Sequence, residues 1–202
     1  MKTAAGNRFL QHIEEADEAI VIYNHLNKNG LRADFALRFV WVSTVSALDD
    51  YITQLIIEIS THRFENSIVQ EKRLLSEACR FDSIYSLLEN NSAASAIAFR
   101  SLIRETVERM TFQSPNDVAD GLSFIWKADE KWKKIGAYLG LTAKSCRGLL
   151  SSIANRRNLI VHNADFDDSG GVKTKIRLND AIRTRMFIVG LVYSIEDLIS
   201  GP

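Results

Sequence analysis

The chain has 202 residues, 46% of them apolar, which suits one domain with a sizeable core and suggests neither disorder nor a fibre. Its 25 basic and 25 acidic residues cancel, so whole-chain charge points to no partner and only its distribution is informative. Two prolines, Pro115 and Pro202, and ten scattered glycines offer little turn chemistry for a sandwich or barrel, so an all-α single domain over residues 1–202 is expected.

The acidic run Glu14-Glu15-Ala16-Asp17-Glu18 is unlike the basic start and apolar core of a signal peptide. The longest apolar runs, such as Phe39-Val40-Trp41-Val42, are far too short to span a membrane, so a cytoplasmic protein without a membrane partner is expected. Apolar residues recur at helical spacing through Phe9, Ile13, Ala16 and Ile20. After the break at Asn27-Lys28-Asn29-Gly30 they recur through Phe35, Phe39, Val42, Val45 and Leu48 to near Ile59, which predicts a second, long helix for the middle of a bundle. A third helix is predicted from near Ser67 to Glu89, and a fourth, capped by Ser92, to near Met110.

Thr111 to Asn116 reads as a loop, with Pro115 placed to open a helix after Ser114. Shorter helices are predicted from Asn116 to Lys127 and from Asp129 to Leu139, with Trp126, Trp132 and Tyr138 as packing aromatics. Gly140-Leu141 breaks the chain and Thr142 caps a helix through about Val161. Asp165 to Gly171 reads as a loop and Val172 to Leu178 as ambiguous, open to an extended conformation. Asn179 or Asp180 caps a last helix to Leu198. Cys79 and Cys146 are too far apart for a metal-binding pair and read as packed thiols, and neither a metal nor a cofactor is expected.

Charge is concentrated towards the C-terminus. From Lys144 to Arg185 nine basic residues face four acidic ones, leaving that segment at +5 and the rest of the chain at −5, so a polyanion would prefer it. Inside it lies Arg157-Asn158-Leu159-Ile160-Val161-His162. Arginine is a permanent cation whose fork fits phosphate oxygens, and histidine gives and takes a proton near neutrality. On a continuous helix Asn158 and His162 share a face, whereas Arg157 and His162 are about 140° apart. A helix end near His162, or a second copy of the chain across a two-fold axis, would bring the pair together. Arg157 falls within the inward stripe of Leu150, Ile153, Ile160 and Val161, so it needs a partner or a task, and Asp49 and Asp50 are the candidates for holding it. The plainer alternatives are a surface arginine, a histidine that caps the last carbonyls, and an exposed Asp49/Asp50 pair. His12, His25 and His62 have no carboxylate or cysteine at ligand spacing and receive no role.

Arg157 to His162 fits the R-x4-H form of the HEPN motif (higher eukaryotes and prokaryotes nucleotide-binding), with the polar Asn158 directly after the arginine. Three ordered blocks resemble the RiboL-PSP-type branch: Val45-Ser46-Ala47-Leu48-Asp49-Asp50-Tyr51, Thr111-Phe112-Gln113-Ser114-Pro115, and Arg156 through Asp165. The resemblance implies a compact helical bundle that forms a homodimer and joins two motifs in one RNA-cutting cleft. His162 would then be the general acid/base, Arg157 would hold the scissile phosphate, and Asn158 would orient them. Arg156 is the nearest rival to Arg157 and is taken as a secondary phosphate contact, and Asp165 as a residue that could orient His162. The resemblance also implies metal-independent cleavage to a 2′,3′-cyclic phosphate and a 5′-hydroxyl, in a bacterial toxin or anti-phage effector with an antitoxin or other regulator as partner. Toxins of the superfamily paired with a nucleotidyltransferase antitoxin carry a tyrosine two positions after the histidine; here Ala164 stands there, so control through that tyrosine is not expected. Two other classes are a silent module that binds RNA or a nucleotide, and a protein-interaction module.

Overall fold

The computed structural model describes residues 1–78, 92–166 and 171–199, and among these the chain forms eight helices. Helix α1 (Ala4–Lys28) begins where the Thr3 hydroxyl accepts the Gly6 N–H, and the Glu58 carboxylate accepts the N–H groups of Ala4 and Ala5 at 3.0 and 2.8 Å. A carboxylate there satisfies orphan donors and complements the helix dipole. Its apolar residues Phe9, Ile13 and Ala16 are buried against α2 (Asp34–Glu65), which runs through the middle of the bundle as its wide apolar face requires.

The buried stripe of α2 runs through Leu37, Val40, Trp41, Val45 and Leu48 and on through Tyr51, Ile52, Leu55 and Ile56. Phe35 and Phe39, expected in that stripe, fall outside it, about 160° around the helix from Leu37; they are 60% and 48% exposed and line an apolar groove with Ala19 and Ile22 of α1. Tyr51 bonds the buried carboxylate of Glu196 at 3.1 Å, and burial together with that negative charge pushes its phenol far up. Glu196 also accepts the Lys2 and Thr3 N–H groups, which fastens the N-terminus to the last helix.

Helix α3 (Lys72–Ala78) covers part of the expected Ser67 to Glu89 helix; its start is later than expected, and residues 79–91, with Cys79, lie outside the described residues. Helix α4 (Ser92–Val107) starts at Ser92 itself. Ser114 and Asp117 form a reciprocal capping box with Pro115 in the first turn of α5 (Pro115–Leu122), which ends earlier than expected because the chain turns at Ser123 to Ile125. Trp132 of α6 (Lys131–Tyr138) is buried, its indole N–H on the Pro115 carbonyl, while Trp126 is half-buried and Tyr138 is exposed with its hydroxyl on Asp197.

Thr142 caps α7 (Ala143–His162) by accepting the Ser145 N–H, and Trp41 donates its indole N–H to the Ile153 carbonyl at 3.1 Å, which pins α7 to α2. The last helix, α8 (Leu178–Ile199), places Asn179 and Asp180 inside its first turn rather than at its cap. The ambiguous segment before it makes one isolated bridge, Phe166 to Lys173, and no strand is formed among the described residues. Cys146 is buried in the core, which pushes its thiol up to about 11. Among the described residues no helix is long and apolar enough to cross a membrane.

Candidate active site

The C-terminal turn of α7 carries the R-x4-H motif. Cys146, Leu150, Ile153 and Ala154 form the buried face of the helix, and Arg157 occupies the next position of that face. It is half-buried; its Nη1 donates to Asn158 Oδ1 at 3.2 Å, while its buried Nε has no hydrogen-bond partner. A buried guanidinium nitrogen without an acceptor is costly.

His162 is the last residue of the helix and is exposed. It lines a shallow hollow with Asn155, Asn158, Leu159 and Asn163. Asn158 and His162 therefore share one open face, four residues apart, as the helical spacing requires. The helix is continuous through His162, so Arg157 remains about 140° away from it around the axis. A single chain presents the cation and the imidazole in different directions. Val161, expected to face inward, is 44% exposed, whereas Ile160 packs on the core.

Neither Asp49 nor Asp50 bonds Arg157. Asp49 accepts the Phe112 N–H at 2.6 Å and the Gln113 amide at 2.7 Å, which ties α2 to the loop before α5. Two of the three sequence blocks are thus linked to each other through Asp49. Asp50 instead receives both Arg8 Nε and Nη2, at 2.7 and 3.1 Å, with His12 Nε2 at 3.5 Å, and this pair raises the Arg8 guanidinium further. Aspartates on an otherwise apolar helix did need partners, but the partners are a loop backbone and α1.

Asp165 is fully buried and does not bond His162. Its Oδ2 accepts Arg38 Nε at 2.7 Å and Arg156 Nη2 at 2.9 Å. Arg156 is therefore held internally by a carboxylate and by the Thr174 carbonyl at 3.3 Å, rather than offered freely to a phosphate. Nothing in the sequence points to Arg38, 127 residues from Asp165. Nor did it link His12 to Asp50, because helical spacing relates neighbours on one helix and not partners on two. Among the described residues no three His, Cys, Asp or Glu side chains gather as a metal-binding group.

A family model described as RiboL-PSP-HEPN matches residues 11–201. No curated protein and no solved structure matches the chain. Because the match spans nearly all of the sequence and takes in Arg157 and His162 alike, the chain belongs to the RiboL-PSP-HEPN family, a HEPN-type domain.

Proposed function

We propose that this protein is a metal-independent endoribonuclease that works as a homodimer. HEPN domains are associated with RNA cleavage, RNA binding and dimerisation. The observation that carries the reading is the last turn of α7, where an exposed His162 shares an open hollow with Asn158, while the half-buried Arg157 next to Asn158 keeps an unbonded Nε.

The chemistry follows from those groups. The ribose 2′-oxygen attacks the phosphorus, one P–O bond forms, and the bond to the 5′-oxygen breaks. His162 takes the proton from the 2′-hydroxyl or delivers one to the leaving 5′-oxygen, and Arg157 neutralises charge that grows on the phosphoryl oxygens. Asn158 holds the imidazole or the phosphate in register. The products are a 2′,3′-cyclic phosphate and a 5′-hydroxyl. General acid/base catalysis supplies roughly 10²–10⁴-fold, and phosphate charge stabilisation adds a comparable factor. Because Arg157 and His162 diverge within one protomer, the complete site draws them from two copies related by a two-fold axis. A cytoplasmic toxin or anti-phage effector acting on RNA such as tRNA, restrained by an antitoxin or other regulator, is the biological role this chemistry fits.

That same divergence favours one rival reading, a silent module that binds RNA through Arg157 and the basic C-terminal segment. Incubation of wild-type and His162→Ala protein with total RNA and purified tRNA in EDTA, with end-group analysis, separates the two. Cutting by the wild type alone, leaving cyclic phosphate ends, is expected. RNA binding at low salt that survives His162→Ala, with no cleavage by either protein, would establish the silent module instead.

A further inference from the structure

We infer that Arg38 and Asp165 are positioning residues for His162, acting through the backbone behind it, an assignment that rests on the proposed nuclease reading. A histidine at the last position of a surface helix has little to hold it, because terminal turns fray and their carbonyls lack partners. Here the chain behind His162 is closed from four directions. The Asp165 N–H returns to the Leu159 carbonyl at 3.0 Å, and the Asp165 carbonyl accepts the Thr174 N–H at 2.7 Å. The Asp165 carboxylate receives Arg38 from α2 and Arg156 from α7 itself. The Thr174 carbonyl accepts Arg38 Nη2 at 3.2 Å as well as Arg156.

Ala164 and Asp165 both adopt left-handed backbone, with φ of 49° and 66°. Two successive non-glycine residues in that region are strained and persist only where their surroundings over-determine them. The surroundings are the two guanidinium groups. A buried ionic cluster is a poor choice for stability alone, since apolar side chains of similar volume usually serve as well. What it adds is a fixed geometry, and it adds it three residues beyond the imidazole. Neither Arg38 nor Asp165 need touch RNA for this.

The test uses the full-length protein with Arg38→Met and Arg38→Lys. Asp165 keeps its bond from Arg156 in both, and a melting curve checks that each folds. The ring signals of the four histidines are recorded by NMR, with His162 identified by its loss in His162→Ala. In Arg38→Met the His162 signal is expected to shift and broaden while those of His12, His25 and His62 stay in place, and Arg38→Lys recovers part of the shift. Cleavage of RNA should lose about tenfold or more in kcat with little change in KM, as expected when a reacting group is misplaced rather than a binding contact removed. A His162 signal unmoved in both folded variants overturns the inference, whatever happens to cleavage. Because the NMR readout needs no turnover, it still decides the matter if the wild-type protein proves not to cut RNA.

Discussion

Arg38 and Asp165 lie 127 residues apart in the chain and meet at 2.7 Å, with the carboxylate fully buried and the Arg38 side chain only 14% exposed. This pair differs in kind from Arg8 and Asp50, whose distance is also 2.7 Å but whose arginine is 54% exposed. Removing the anion of the buried pair leaves two guanidinium groups facing each other, which costs about 3–5 kcal/mol. Removing Asp50, whose arginine partner is half exposed to solvent, costs about 1 kcal/mol. Urea unfolding should accordingly place Asp165→Ala well below Asp50→Ala in midpoint, and equal midpoints would show that solvent reaches the Asp165 cluster.

Asp49 offers a test of what α2 does for the site. Its carboxylate holds the Phe112 N–H and the Gln113 amide, so Asp49→Ala leaves a backbone donor unpaired in a partly buried loop. A loss of about 2 kcal/mol is expected. Cleavage by the folded fraction should be unchanged, because no bond runs from Asp49 to Arg157. Loss of cleavage at full stability would instead return Asp49 to the site.

The helices were readable because their signals are local. Ser114 followed by Pro115, and Thr142 ahead of α7, carry the capping chemistry that sets a helix start, and both caps form where the residues predict them. The motif was readable for the same reason, as a run of six residues on one helical turn and a half. What lies between helices was not. The partners of Asp49, Asp50 and Asp165 come from a loop, α1, α2 and α7, and nothing in a helical period encodes which of several carboxylates an arginine will find. Phe35 and Phe39 fall outside the buried stripe, about 160° around α2 from Leu37, because apolar residues occur all round this helix and their pattern alone does not show which side meets the core.

Two glycines differ in what a methyl group would meet. A Cβ at Gly148, in the exposed middle of α7, would meet nothing within 4 Å, whereas one at Gly121 would lie 2.6 Å from the Phe112 ring and 3.1 Å from Ile52 Cγ2. Gly148→Ala should therefore gain about 0.5–1 kcal/mol through the lower entropy of the unfolded chain. Gly121→Ala should lose about 1–3 kcal/mol by overpacking. Opposite shifts in melting temperature are the expected result; shifts of the same sign would mean that α5 can slide away from Phe112.

The divergence of Arg157 and His162 on α7 yields a mixing experiment. If the site takes its arginine from one copy and its histidine from the other, Arg157→Ala and His162→Ala proteins are each inactive alone, since every site lacks one group. Unfolded together and refolded as a mixture, half of the dimers carry one variant of each kind. In those dimers the intact Arg157 of the His162→Ala chain faces the intact His162 of the Arg157→Ala chain, giving one complete site out of two. About a quarter of the wild-type rate should return. A site built within a single copy predicts no recovery, because neither variant chain holds both groups. Recovery in the mixture would therefore place the two halves of the motif on opposite sides of the two-fold axis, and its absence in a demonstrably mixed dimer would require Arg157 to swing towards its own His162.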